Sequence, residues 1–442
     1  MRRETITKVL RASHDREIPS LVPRDLDAKF PTVGKCVTLI GPRRAGKTYY
    51  LYQKVAEARG TSPDEEMLLL NLEDERLAGL TLKDMDLVLR SFREMYPGSA
   101  RQRTHIFLDE VQVVEGWERF VRRLIDTEDV HIHITGSSSR LLYSELGHSM
   151  RGRSITYTLL PFSFAELLRA RKTTVGRYPS SNESAVVLSS LQEYMRFGGF
   201  PQVVLEQSED TKVELLRELI ELILLKDVVE RNSVRNVTAL RLLLNTVLTS
   251  MGREFSVNRF HALAKSREMK VSKMTLYDYL RYLEDAFAII QLRRYGTKPR
   301  ELHWSLPKVY PIDPGFAAQA SGQSTQDIGR AMECVVAVEL VRRRTMRPRL
   351  EAYYWRDPQG KEVDFVVRDG VDTTSLIQVC YDLEGLGTRE REYKPLVKAS
   401  RELGCDDLTV LTWDEQDEEE YNGKRIKLVP LWRWLLGLEI AP

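Results

Sequence analysis

The sequence predicts a multidomain α/β chain, and three observations predict it. At 442 residues the chain exceeds what one hydrophobic core normally holds, so about three domains are expected. Near the start, the apolar run VGKCVTLI leads through a glycine-containing turn into the helical pattern TYYLYQKVAEARG, the strand–loop–helix grammar of a parallel sheet. Far along the chain, a helix pattern around Glu333 is followed by the strand patterns EVDFVV and SLIQVCYDL, a second α/β block.

Composition bounds the function classes. Apolar residues make up 42% and charged residues 29%, the balance of a globular and not a disordered chain. The N-terminal MRRETITKVLRAS is basic without an apolar segment behind it, and no run reaches 18 apolar residues, so a cytoplasmic, non-membrane protein is expected. Four cysteines, Cys36, Cys334, Cys380 and Cys405, form no CxxC pair, which argues for reduced, buried thiols over a zinc module. The net charge is only +2, but Arg241 to Leu350 carries 19 Lys and Arg against 10 Asp and Glu, which points to a polyanionic partner.

The loop after the first strand reads Gly41, Pro42, Arg43, Arg44, Ala45, Gly46, Lys47, Thr48, with Tyr49 opening the helix. This is the P-loop pattern: glycines let backbone N–H groups face phosphates, Lys47 sets a point charge on them, and Thr48 ligates Mg²⁺. ATP and Mg²⁺ are the expected cofactors. Roughly 60 residues on, the strand THIFLDEVQ ends in Asp109 and Glu110. Asp109 is expected to hold Mg²⁺ and Glu110 to act as general base on the attacking water. The competing reading is a surface acidic pair at a strand end. The strand VHIHITGSSSR closes on polar Thr135, Gly136, Ser137 and Ser138, whose small hydroxyls, Ser137 among them, are expected to orient the lytic water or feel the γ-phosphate; a plain turn is the alternative. Arg151 or Arg153 would serve as a trans-acting arginine finger, which requires an oligomer.

GPRRAGKT, LDEVQ, TGSSSRLL, MRGRS and LLPFSFAELL together resemble the AAA-superfamily P-loop ATPases common in archaea whose C-terminal half carries a restriction-endonuclease-like domain; MRFGGFPQVV and LLKDVVERNSVRN resemble that family's linking helical segment. The resemblance runs from about residue 20 to residue 430 and implies ATP hydrolysis by an oligomeric ring or cluster, with a hexamer as the candidate form. The expected organisation is an extension over 1–25, the ATPase domain over 26–165, a helical lid over 166–240, a winged helix-turn-helix over 241–300 and the restriction-endonuclease-like domain over 301–442.

Within the basic middle segment, Ser256 and Ser272 are expected to cap two helices, with Leu276, Leu280 and Leu283 on the buried face of the second. Lys273, Thr275 and Arg281 from that helix, with Arg293 and Arg294 from the following ribbon, are the candidate DNA contacts; a protein-contact role is the alternative. In the C-terminal block, a helix Glu333, a strand Asp364 and an acid-x-Lys strand would gather a metal for phosphodiester attack. Here the last positions hold Gln378 and Cys380, an amide for the carboxylate and a thiol for the ammonium, so nuclease activity is expected to be absent. Two functions remain open: a ring-forming, DNA-engaging ATPase motor or remodeller, or an ATP-dependent switch in a signalling or defence assembly that does not translocate DNA.

Overall fold

The computed structural model describes residues 2–30, 34–60, 67–97, 103–136, 150, 152–296, 305–320, 328–385 and 387–438. It divides into two compact units, Met1–Leu160 and Pro161–Pro442.

The first unit is a five-stranded parallel sheet, β1 (Cys36–Ile40), β2 (Met67–Asn71), β3 (Thr104–Asp109), β4 (Val130–Gly136) and β5 (Ser154–Thr158), in the order β2-β3-β4-β1-β5. Every residue of β1 is buried, as a strand covered on both faces requires. The crossovers run through helices α2 (Lys47–Arg59), α3 (Leu82–Met95) and α4 (Trp117–Thr127). Helix α3 starts on a capping box in which Thr81 and Asp84 satisfy each other's backbone N–H. Helix α1 (Arg3–His14) buries Ile6, Val9 and Leu10, one face at helical spacing, against β2 and α3. Because β4 lies between β1 and β3, its C-terminal tip stands between the P-loop and Asp109.

In the second unit, the helices Phe164–Ala170 and Ser181–Phe197 each start on a Ser–Glu capping box, Ser163 with Glu166 and Ser180 with Glu183. The helix Glu209–Leu222 continues as π-helix over Ile223–Glu230, and Val237–Thr249 follows. Two further helices, Val257–Ser266 and Lys273–Asp285, start at Ser256 and Ser272, whose hydroxyls accept from the N–H groups of Arg259 and Thr275. An antiparallel ribbon pairs β6 (Ile289–Leu292) with β7 (Lys308–Pro311). The helix Ile328–Met346 then leads into a six-stranded mixed sheet of β8 (Leu350–Arg356), β9 (Glu362–Asp369), β10 (Asp372–Val379), β11 (Leu408–Thr412), β12 (Asp417–Tyr421) and β13 (Lys424–Pro430), ordered β12-β13-β11-β10-β9-β8. The meander β8-β9-β10 is antiparallel, and the helix Thr388–Leu403 crosses over to a parallel β11.

Two buried details fix the start of this unit. Gly199 N–H donates to Asp313 at 2.8 Å. At Gly198 (φ +75°) a Cβ would stand 1.6 Å from an Asp313 carboxylate oxygen, so only glycine fits. All four cysteines are free and buried. Among the described residues no helix is long and apolar enough to cross a membrane.

Candidate nucleotide site

The loop between β1 and α2 is shaped by backbone conformations that favour glycine. Gly41 sits at φ +150°, and a Cβ there would meet the Leu159 carbonyl oxygen at 2.1 Å. Arg44 and Gly46 adopt φ +60° and +95°. Such left-handed residues turn successive N–H groups into one concavity, the form of an anion nest. Lys47, the first residue of α2, is buried, and its ammonium donates to the carbonyls of Gly41 at 3.0 Å and Pro42 at 2.9 Å. Arg43 is half-buried, while Arg44 and Tyr49 are exposed.

At the tip of β3 the expected metal pair is already in contact: Thr48 Oγ1 donates to Asp109 Oδ2 at 2.7 Å. Thr135, buried at the tip of β4, donates to the other carboxylate oxygen of Asp109 and accepts from Glu110 N–H at 3.0 Å. Burial pushes the Asp109 carboxyl above its ordinary range, and the hydroxyls of Thr135 and Thr48 pull it back. Glu110 takes φ +55°, a left-handed turn that ends the strand, and its carboxylate accepts from the Gln112 amide. Asp109 therefore belongs to the buried hydroxyl network through its carboxylate, while Glu110 joins it only through its N–H and its carboxylate stands outside.

Thr135 was expected only among the strand-tip hydroxyls at the lytic water or γ-phosphate, and the structure turns it to Asp109. One contributor was missed altogether. Arg24 lies before any recognisable motif. Its buried guanidinium donates to Ala45 O in the loop at 2.8 Å and to Leu160 O at 2.5 Å. Tyr50 of α2 clasps the same segment, donating to Leu26 O at 2.9 Å.

Other expected residues fall elsewhere. Ser137 and Arg151 lie outside the described residues. Arg153 precedes β5, whose first residue pairs with Cys36, so it stands at the end of the sheet away from the phosphate loop, where it pairs with Asp126. In the second unit Lys273, Arg281 and Arg293 are exposed, and Arg281 pairs with Asp278 at 3.1 Å. Thr275 bonds the cap Ser272, and Arg294 donates to the Arg356 carbonyl.

The C-terminal carboxylates Glu333 and Asp364 do come together, around a residue sequence reasoning overlooked. Lys308 of β7 donates to Glu333 at 2.9 Å, Glu362 at 2.6 Å and Asp364 at 3.2 Å. Gln378 is engaged through its amide with Glu392 at 2.8 Å and with Asp364 N–H at 3.3 Å. The Cys380 thiol donates to Asp382 O at 3.2 Å, and burial pushes its pKa up to about 11. The period-two alternations Lys308-Val309-Tyr310 and Glu362-Val363-Asp364 were the available signal, since each sets two polar side chains on one strand face.

Comparison with known proteins completes the picture. A family described as "AAA domain" matches residues 33–168, and families described as "Domain of unknown function" (DUF8612 and DUF4143) match 188–327 and 328–434. "Uncharacterized protein MJ1544" of Methanocaldococcus jannaschii is 33% identical over 425 residues, 94% of this chain and 91% of that protein. A Haemophilus influenzae "Uncharacterized protein" is 27% identical over 348 residues, 78% and 82% of the two chains. Among solved structures, the Walker-type ATPase PABY2304 of Pyrococcus abyssi is 15% identical, covering 72% of this chain and 95% of its own, with a TM-score of 0.45. The parallel sheet with its phosphate loop is an AAA-type P-loop core.

Proposed function

The chain belongs to the same family as protein MJ1544 of Methanocaldococcus jannaschii, and for it we propose Mg²⁺-dependent ATP binding and hydrolysis at the loop Gly41–Thr48. The observation that carries this reading is the 2.7 Å contact between Thr48 Oγ1 and Asp109 Oδ2, which brings together the two groups that would share one magnesium ion. The residues present fit the nucleotide: a loop too tight for side chains at Gly41, an ammonium at its centre, and a hydroxyl–carboxylate pair at its edge. Bound Mg²⁺ would supply charge neutralisation on phosphate oxygens. The Glu110 carboxylate, outside the hydroxyl network that holds Asp109, orients and deprotonates the attacking water. Arg151 or Arg153 acts on the site of a neighbouring subunit in a ring, and the position of Arg153 at the far end of the sheet supports action in trans over action on its own loop. For Ser137 the proposed role is to orient the lytic water or feel the γ-phosphate.

For the partner we propose DNA, held by the basic middle segment through Lys273, Arg281 and Arg293, whose exposure leaves them available to phosphates. A second reading, the ATP-dependent switch, is favoured by Met274 and Tyr277, 72% and 56% exposed on the same helix, which suit a protein partner. The C-terminal sheet is proposed to cleave no phosphodiester, since Gln378 and Cys380 supply neither the carboxylate nor the ammonium of an acid-x-Lys strand.

The test is ATP turnover with and without duplex, single-stranded and four-way-junction DNA at two salt concentrations, for the wild type and Lys47→Ala. Turnover lost in Lys47→Ala supports the site; turnover that survives refutes it. Stimulation by one DNA form that weakens with salt supports phosphate contacts. Turnover indifferent to every DNA form transfers the conclusion to the switch.

A further inference from the structure

Glu110 is held from two sides. Its N–H is bound by the Thr135 hydroxyl at 3.0 Å, and its carboxylate accepts from the Gln112 amide. Gln112 sits on the short 3-10 turn Val111–Val113 that follows β3, and Val111, Val114 and Trp117, all buried, pin that turn. The turn is closed by Val113 N–H on Glu110 O and by Val114 N–H on Val111 O, each at 3.2 Å. Gln112 itself is half-buried, so its own packing adds little to the anchor. Glu110 takes φ +55°, a left-handed conformation that a residue with a side chain keeps only where its surroundings impose it. A second carboxylate lies within reach of its charge: burial, and then Glu110, raise the carboxyl of Glu73, which stands just past the end of β2.

We propose that Gln112 is a positioning residue for hydrolysis: its amide holds one carboxylate oxygen of Glu110 and turns the other toward the attacking water. The inference rests on the reading of Glu110 as general base and deepens it. Backbone geometry alone does not aim this carboxylate, because the side-chain torsions of Glu110 lie beyond the turn and the left-handed backbone fixes none of them. The Glu73 charge repels the carboxylate from its side, and that repulsion is stronger in a partly desolvated site than in water. A donor carried on a pinned turn answers both. A neutral amide also suits the task better than a cation. An ammonium or guanidinium would pair with Glu110 and compete with the water for its second oxygen, whereas an amide donates without neutralising the base. A general base must first stand within hydrogen-bond reach of the proton it takes, and a displacement of about 1 Å costs up to about 10²-fold in rate.

The test is single-turnover hydrolysis of ATP by the full chain, with steady-state kcat and KM, for the wild type, Gln112→Leu, Gln112→Glu, Glu110→Gln and the Gln112→Leu/Glu110→Gln double variant. Gln112→Leu keeps bulk and loses the donor, whereas Gln112→Glu keeps the shape and adds a like charge. The expected loss in kcat is about 10- to 10²-fold for Gln112→Leu and larger for Gln112→Glu, with the KM for ATP within about twofold of the wild type. In the Glu110→Gln background, Gln112→Leu should change the rate by less than about twofold, because its effect passes through the Glu110 carboxylate. A Gln112→Leu chain that turns over at the wild-type rate, beside a slow Glu110→Gln, overturns the proposal and leaves the ATP reading standing. So does a Gln112→Leu loss that repeats in full in the Glu110→Gln background, or one that appears in KM alone. Wild-type turnover in Glu110→Gln strikes the general-base reading, and the positioning role falls with it. Should Gln112→Leu fail to fold, Gln112→Glu alone and combined with Glu110→Gln supplies the same comparison.

Discussion

Thr135→Val removes one hydroxyl and keeps the shape of the side chain, so its cost can be worked from two contacts. The Thr135 hydroxyl donates to the buried Asp109 carboxylate, a bond to a charged group worth about 1.5–3 kcal/mol. It also accepts from Glu110 N–H at 3.0 Å, and a backbone donor left without a partner costs about 1–3 kcal/mol more. The two losses share one residue and do not add in full, so the expected destabilisation is about 2–4 kcal/mol. Asp109 should then titrate higher still, since one of the two hydroxyls that offset its burial is gone. Urea unfolding monitored on the first unit gives the stability, and single-turnover hydrolysis gives the chemical step. Thr135→Ser, which keeps the hydroxyl, should recover most of both. If Thr135→Val unfolds within about 0.5 kcal/mol of the wild type and hydrolyses ATP at the same rate, the network does not position Asp109 and the reasoning fails.

Three further outcomes follow from the same geometry. Glu110→Gln should bind ATP normally and hydrolyse it roughly 10²- to 10⁴-fold more slowly, the span of a lost general base; equal turnover in a stopped-flow phosphate assay removes Glu110 from that role. Arg24→Gln should destabilise the first unit by about 2–4 kcal/mol, since two bonds from a buried cation are lost, and should raise the KM for ATP more than it lowers kcat. Asp313, pushed up to about 7 by burial against the pull of the Gly199 and Gly315 N–H groups, supplies a pH test. Between the unfolded value of about 4 and 7 only the folded state holds this proton, so its contribution is full below pH 4 and declines as pH rises. The stability of the wild type relative to Asp313→Asn should therefore fall by on the order of 4 kcal/mol from pH 4 to 7; a pH-independent difference refutes the assignment.

The candidate nucleotide site was legible where chemistry is local. Gly41 to Thr48 are contiguous, and the strand ending in Asp109 and Glu110 is an apolar run closing on carboxylates, so spacing alone carried both. The caps at Ser256 and Ser272 were readable for the same reason, as were the buried Leu276, Leu280 and Leu283. Contacts made across the sheet were not. Nothing in the local pattern says that β4 inserts between β1 and β3, and only that order brings Thr135 to Asp109. Arg24 is likewise one arginine among many until the fold aims it at Ala45. The C-terminal carboxylates were found by analogy with an acid-x-Lys strand, and that analogy directed attention to Gln378 and Cys380. The cation that the carboxylates hold comes from β7, outside the pattern being searched.

Arg24 also ties the phosphate loop to the end of its own unit. One guanidinium joins the Ala45 carbonyl in the loop to the Leu160 carbonyl, where the first unit ends. One residue earlier, Leu159 N–H donates to Ile40 O at 2.7 Å, and its carbonyl packs so closely on Gly41 that no side chain fits between them. A loop held at both of its ends against Leu159 and Leu160 cannot change shape without moving them. The loop also has a reason to change shape: the Lys47 ammonium donates to the Gly41 and Pro42 carbonyls, and an incoming phosphate competes for those same hydrogens. Releasing the two carbonyls frees the stretch that Gly41 presses on Leu159. Arg24→Lys keeps the charge but loses the planar fork that reaches two carbonyls at once. It should therefore leave nucleotide binding close to wild type, while the proteolytic sensitivity of the Leu159–Pro161 junction no longer responds to nucleotide. Protection by ATP that is unchanged in Arg24→Lys would show that the signal leaves the loop by another route.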